Sequence, residues 1–135
     1  MESDKVSYKL LNEIFLCISQ LARSVPLGGE DYIRMVFEFY NERVFLGIKE
    51  NFKPKSNQAI DLCQALIELM DQERIIHKED FTLSSEGEAV IVTIDRCKCS
   101  YLEYCQTAKE NNLPAKCCRM LGHRWLVSNY TGCNY

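Results

Sequence analysis

The spacing of apolar residues in this 135-residue chain changes from a helical to a strand-like period at the segment HKED of residues 77–80. Before this segment, apolar residues recur every three to four positions, which is the period of one face of an α-helix. After it, the segments FTL and AVIVTI are rich in apolar and β-branched residues, and the intervening SSEGE supplies a glycine for a hairpin turn. The change predicts helices followed by a hairpin, and therefore an α+β fold.

The part before HKED divides into three predicted helices. The first covers residues 5–25 approximately and ends at PLGG, because proline cannot continue the helical hydrogen bonds. The second begins near Glu30, and the third runs from about Asn57 to Gln72 with Ser56 as its N-cap. The first helix is expected to bury one apolar stripe, which consists of Leu10, Leu11, Ile14, Ile18, Leu21, Ala22 and Val25.

Two cysteine-bearing helices are predicted beyond the hairpin, and all five helices pack in one domain, residues 1–135. Ser100 and Glu103 form an S-x-x-E capping box, which predicts a helix from Tyr101. Pro114 suits the first turn of a last helix. That helix reaches about Asn129, and Gly132 suits its end.

The second strand of the hairpin is apolar on both faces. We therefore expect it to be sandwiched, with one face against the helices. The other face is expected to meet a second layer, a ligand or a partner chain, which would make the protein a homodimer.

Composition and charge narrow the classes of function. The net charge is −3 and the basic residues are scattered, which argues against nucleic acid as the main partner. No apolar run approaches the roughly 20 residues of a membrane helix. The N-terminal segment also lacks the plan of a signal peptide, so we expect a cytoplasmic protein without a membrane span.

The eight cysteines are distributed unevenly. In a reducing compartment, clustered cysteines more often bind metal or carry out thiol chemistry than form disulfides. Cys17 and Cys63 lie inside helical apolar patterns, where we expect them to pack in the core. The other six define a cysteine-rich region, residues 97–133, and are Cys97, Cys99, Cys105, Cys117, Cys118 and Cys133.

Five of these cysteines are candidate ligands of zinc or of an iron–sulfur cluster: Cys97, Cys99, Cys105, Cys117 and Cys118. Cys97 and Cys99 precede a predicted helix, whose dipole favours thiolate together with Arg96 and Lys98. The spacing is not that of paired C-x2-C knuckles. Neighbouring residues of a helix point about 100° apart, so Cys117 and Cys118 cannot easily serve one ion. Reactive thiols without metal, or small residues around a pocket, remain alternatives.

The aromatic residues suggest a pocket for a small apolar or aromatic ligand, although packing of the core is the alternative for the same side chains. The candidate pocket residues are Phe37, Tyr40, Tyr101 and Trp125. The two histidines are given structural roles. His123 is interpreted as a surface or capping residue rather than a fourth metal ligand, and His77 as a counter-charge for the end of the third helix.

The segment VTIDRCKCSYLEYCQTAKENNLPAKCCRML resembles part of two families of small cysteine-bearing α+β domains, the 4-vinyl reductase domain and the L-2-amino-thiazoline-4-carboxylic acid hydrolase-like family. The resemblance covers the last 50 or so residues and is carried by a strand ending at Ile94 and Asp95, Cys97 or Cys99, Tyr101 to Glu103, Leu113-Pro114 and Cys117. It implies a ligand-binding, often regulatory domain with an apolar pocket and cysteines at its mouth, some of them metal ligands. The short end SNYTGCNY departs from the pattern, so hydrolase activity is not carried over.

These features predict a cytoplasmic domain that senses or binds a ligand or a metal, with zinc or an iron–sulfur cluster beside an apolar aromatic pocket. Two alternatives stay open at this point. One is a cysteine-dependent hydrolase or thiol redox enzyme. The other is a dimeric structural adaptor that uses the second face of the hairpin.

Overall fold

The chain forms α-helices and one two-stranded hairpin in a computed structural model that describes residues 2–24, 29–95 and 101–133, with side chains from Tyr8 onward. The elements are α1 (Glu2–Ser24), α2 (Gly29–Ile48), α3 (Ala59–Gln72), β1 (Phe81–Glu86), β2 (Ala89–Ile94), α4 (Leu102–Glu110) and α5 (Cys118–Thr131). The predicted α+β class and the order of its elements are confirmed. None of the described helices combines the length and the apolarity that a membrane span requires.

Helix α1 buries a stripe that matches the predicted one only in part, since Ala22 is buried and Leu11 and Ile18 are half-buried as expected, while Val25 lies outside the described residues. Its buried residues are Asn12, Phe15, Ser19 and Ala22, while Leu10, Ile14 and Leu21 are more than half exposed. The helical period was predicted correctly. The buried face of α1, however, is turned around the helix axis relative to the predicted face, because α1 packs against both α2 and α4. Cys17 lies on the exposed side of the helix, so the prediction that it packs in the core is wrong.

An aromatic core fills the space between α1, α2 and α4. Phe15 lies at its centre, with its ring centroid 4.9 Å from that of Phe37 and 5.7 Å from that of Tyr104, both in edge-to-face geometry. Such pairs add about 0.5–1.5 kcal/mol beyond the burial of their area. The first and fourth helices are therefore held together through aromatic contacts.

Helix α3 buries the stripe that its sequence predicts, which includes Cys63, Leu66, Ile67 and Met70. It packs against α5 and β1. The strands pair antiparallel, from Phe81 opposite Ile94 to Glu86 opposite Ala89.

Only one face of the second strand is covered by the described residues. Val90 and Val92 pack near Cys63, whereas Ala89, Ile91 and Thr93 are exposed. The expected sandwich is therefore not formed within this part of the chain. Coverage of the open face by a partner chain stays a prediction.

Several boundaries differ from the sequence-based ones. Gln58, not Ser56, is the N-cap of α3, and the Ser56 hydroxyl instead donates to the Asp61 carboxylate at 2.6 Å. The hairpin turn is shorter than SSEGE, since both serines belong to β1. Helix α5 begins at Cys118 rather than near Pro114, while Gly132 ends it with φ +72°, as predicted.

Candidate functional site

The predicted metal ligands do not form a cluster in the described part of the chain. Cys97 and Cys99 lie outside the described residues. Cys105 is half-buried on α4, Cys117 is the N-cap of α5, and Cys118 is buried in its first turn. Among the described residues, only Asp71, His77 and Glu79 bring three ligand-type atoms within 4.8 Å of one another, and they lie largely in solvent. The cysteine-held metal site stays a prediction.

The four predicted pocket residues fall into two groups. Tyr40 and Trp125 line a cleft between α2, α3 and α5. Phe37 and Tyr101 are instead buried in the aromatic core, with 1% and 2% of their surface exposed. The two groups are joined by a hydrogen bond of 2.5 Å between the hydroxyls of Tyr40 and Tyr101.

Arg119 lies where these two groups meet. The guanidinium carbon of Arg119 sits 4.5 Å from the centroid of the Tyr101 ring, as in a cation–π contact. Only 5% of the residue is exposed, and its Nε and Nη2 atoms are buried without a hydrogen-bond partner. Within the described ranges Arg119 takes part in no salt bridge. It is therefore a buried cation with unused donors.

The neighbouring phenols do not supply a counter-charge. Burial raises the pKa of Tyr101 far above its ordinary range, although the Arg119 guanidinium acts in the opposite direction. Burial likewise raises the pKa of Tyr40, against the lowering effect of its hydrogen bond to Tyr101. Both rings are thus neutral at physiological pH, and the positive charge of Arg119 is not neutralised by either of them.

We call the space beside Arg119 the arginine cleft. Its enclosed space is small, about 30 Å³, which is room for one or two water molecules, and the gaps between the lining atoms together with the open mouth bring the total to about 450 Å³. Its polar or aromatic lining is Tyr40, Asn41, Phe45, Arg119 and Trp125, and its remaining lining is Val44, Ile48, Leu66, Met70, Ile75, Gly122 and Leu126. An apolar wall around one charged group is typical of sites for small organic ligands.

A glycine allows α2 and α5 to approach each other at this cleft. A Cβ atom on Gly122 would lie 3.1 Å from Oδ1 of Asn41, so a larger residue would displace that side chain. Asn41 in turn donates from Nδ2 to the backbone oxygen of Cys118 at 3.2 Å, and the Cys118 sulfur lies 3.9 Å from Oδ1. One of the predicted cysteine ligands therefore lies directly behind the cleft wall.

His123 is the second residue of α5 with a buried polar atom that has no hydrogen-bond partner in the described part of the chain. Only 3% of it is exposed, so its interpretation as a surface or capping residue is wrong. The cause is its position on the face of α5 that packs against the rest of the domain. Nδ1 lies 2.8 Å from the backbone oxygen of Arg119, and Nε2 is buried without a hydrogen-bond partner. Burial lowers the pKa of His123, so the ring is neutral near pH 7.

A second space, the hairpin pocket, lies on the other side of α5. It encloses about 590 Å³ including its mouth and is lined by Ala59, Cys63, Val90, Val92, Met120, His123, Arg124 and Val127. Cys63 contributes a buried thiol, and burial raises its pKa to about 11. At neutral pH this thiol stays protonated, so it is a poor nucleophile without an activating partner.

Sequence reasoning missed Arg119 and misjudged His123, although the sequence contains a signal for both. Arg119, Gly122, His123 and Leu126 follow each other at i, i+3, i+4 and i+7, which is the spacing of a buried helical stripe. A cation and an imidazole at core positions of such a stripe indicate buried polar groups that need partners.

We compared the chain with protein-family models, with curated proteins and with solved structures, and none of the three comparisons found a match. The resemblance of the C-terminal segment to the 4-vinyl reductase domain and to the hydrolase-like family stays a prediction.

Proposed function

We propose that this protein is a ligand-binding domain whose ligand combines an apolar body with one carboxylate, held in the arginine cleft. The observation that carries the proposal is Arg119, a cation with 5% exposure and two buried donor atoms that lack partners. A carboxylate accepts two parallel hydrogen bonds from a guanidinium, which makes it a geometrically matched occupant.

The energetics of burial support an anionic ligand. Removing a charged side chain from water carries an effective penalty of several kcal/mol in real proteins. The contact of Arg119 with the Tyr101 ring recovers only about 0.5–2 kcal/mol of this. An anion in the cleft would offset part of the remainder through its charge, and it would accept from Nε and Nη2 once the lining side chains move apart to expose these two buried atoms.

The shape of the cleft favours an apolar body on the same ligand. Apart from Tyr40, Asn41 and Arg119, the lining consists of apolar residues. The enclosed space is only about 30 Å³, so the apolar body would lie along the open mouth, where a slender aliphatic chain or a flat ring fits better than a bulky group. Each CH₂ group that leaves water on binding contributes about 0.8 kcal/mol.

The broader role that we propose is sensing, in which a metal held by the C-terminal cysteines lies next to this cleft. The support for the juxtaposition is the contact between Cys118 and Asn41, because Cys118 begins α5 and Asn41 lines the cleft. Zinc or an iron–sulfur cluster would be held by Cys118 or Cys117 with Cys97, Cys99 and Cys105.

The test is a calorimetric titration with octanoate of the wild type and of two matched variants. Arg119→Met removes the buried cation, and Arg43→Met removes an exposed cation of α2. A hydrogen bond to a charged group is worth about 1.5–3 kcal/mol. We therefore expect Arg119→Met to bind octanoate roughly 10- to 150-fold more weakly, and Arg43→Met to bind like the wild type. Equal affinities of all three proteins would overturn the proposal.

A further inference from the structure

The hairpin pocket brings together three side chains with soft or borderline donor atoms. Cys63 of α3 provides a thiol, Met120 of α5 a thioether and His123 an imidazole nitrogen. No carboxylate is among its described lining residues. This donor set lies on the opposite side of α5 from the arginine cleft, so it is independent of the function proposed there.

The hydrogen bond of His123 determines which nitrogen atom is available. Nδ1 lies 2.8 Å from the backbone oxygen of Arg119, and a carbonyl oxygen can only accept, so Nδ1 carries the proton. Nε2 then has a free lone pair, and it is buried without a partner in a residue that is 3% exposed. A histidine oriented through Nδ1–H and a backbone carbonyl is the usual arrangement of a metal ligand.

The three donors line one pocket from two neighbouring helices, α3 and α5. Met120 and His123 are three residues apart on α5 and therefore share one face. Val127, one turn beyond His123, packs against Cys63 in the same buried cluster. Helix α3 thus presents its thiol to the face of α5 that carries the other two donors.

We propose that Cys63, Met120 and His123 form a binding site for a soft monovalent metal ion, Cu(I), in the hairpin pocket. Thiolate and thioether ligands select Cu(I), while structural zinc sites are almost always four-coordinate with nitrogen, thiolate or carboxylate ligands. Among its described lining residues the pocket offers three metal-binding donor atoms, and one of them is a thioether.

Charge also favours a monovalent ion. On binding, the Cys63 thiol releases its proton to solvent, and the sulfur forms a bond to Cu(I) without any change of oxidation state. The thiolate and the ion together are neutral, whereas a divalent ion would leave one positive charge in an apolar pocket near Arg124.

The decisive experiment is an anaerobic titration of the chain with Cu(I), followed by the ¹⁵N resonances of its imidazoles. We expect the Nε2 resonance of His123 to leave the position of a free unprotonated nitrogen when one equivalent is bound. His77, the other histidine of the chain, is exposed and serves as the internal control. The proposal would be overturned if Cu(I) bound at other cysteines and left the His123 resonance unmoved. It would also be overturned if Cu(I) did not bind.

Matched variants test the two sulfur ligands by competition with a Cu(I) chelator. Met120→Leu keeps the volume of the side chain, and its control is Met35→Leu at an exposed position of α2. Cys63→Ala is compared in the same way with Cys17→Ala, which alters an exposed thiol. Replacing even a residue that only orients a metal ligand typically weakens metal binding about 10- to 100-fold. We therefore expect Met120→Leu and Cys63→Ala, which remove ligands, to lose at least about tenfold in affinity for Cu(I). Equal affinity within each matched pair would contradict the assignment.

Discussion

Nδ1 of His123 lies 2.8 Å from the backbone oxygen of Arg119, so two buried side chains with unpartnered nitrogen atoms are linked within one turn of α5. Arg119 lines the arginine cleft and His123 lines the hairpin pocket. Buried polar groups without partners are rare in native proteins, and each calls for an explanation. Placing a ligand against each of the two faces of α5 explains both.

The free energy of unfolding of Arg119→Met tests whether the cation is uncompensated. Because Met removes a buried charge and keeps much of the apolar stem, we expect the ligand-free variant to be more stable than the wild type by about 1 kcal/mol or more. Urea unfolding, with Arg43→Met as the control, measures the difference. A loss of about 3–5 kcal/mol would mean that Arg119 is one half of a buried ion pair, which would contradict the interpretation.

The dependence of stability on pH tests the burial of His123. Its pKa is lowered by burial from its ordinary value of 6.5, so between the lowered folded value and 6.5 the unfolded chain binds more protons than the folded one. The contribution of neutral His123 to the free energy of unfolding is therefore fully present above pH 6.5. It is lost as the pH falls below 6.5, by up to about 1.4 kcal/mol per pH unit.

His123→Gln should remove this part of the pH dependence. We expect its unfolding free energy, measured in chelator between pH 7.5 and 5.5, to fall less than that of the wild type. His77→Gln, at an exposed position, is the matched control. A His123→Gln variant with the same slope as the wild type would show that His123 takes up its proton in the folded state.

Gly122 and Gly47 offer a matched pair for the contact between α2 and α5. A Cβ on Gly47 meets no atom within 4 Å, so Gly47→Ala should stabilise the protein by about 0.5 kcal/mol through its helix propensity. In Gly122→Ala the new methyl requires Asn41 to shift by a few tenths of an ångström, and weakening of the hydrogen bond from Asn41 to Cys118 offsets that gain. We expect Gly122→Ala not to stabilise the protein and to weaken octanoate binding. Equal stabilisation by both changes would contradict this role.

The fold could be predicted largely because local patterns decide it. The stripe of α3 and the two strands follow from period and residue type alone. In α1, however, apolar residues occupy adjacent positions, such as Leu10 and Leu11 or Ile14 and Phe15. The period cannot decide which of two neighbours faces inward. That choice depends on where α2 and α4 pack, which is a tertiary effect.

The candidate sites were less predictable than the fold. Tyr40 and Trp125 were expected in a pocket and line the arginine cleft, but no pattern predicts that Arg119 has no carboxylate partner among the described side chains. That property depends on side chains from α2, α4 and α5 at once. Cys63 is buried, as predicted. That it shares a pocket with Met120 and His123 could not be predicted, because these two residues belong to a helix that is distant in sequence.

The chemistry of the ligand can be tested directly with the fluorescence of Trp125, which is the only tryptophan of the chain and lines the arginine cleft. Octanoate and octanol have the same chain length and differ in charge, while inorganic phosphate has charge without an apolar body. We predict that octanoate changes the emission of Trp125 saturably and binds at least about tenfold more tightly than octanol, and that phosphate has no effect. Equal binding of octanoate and octanol, or no response to either, would contradict the proposed carboxylate site.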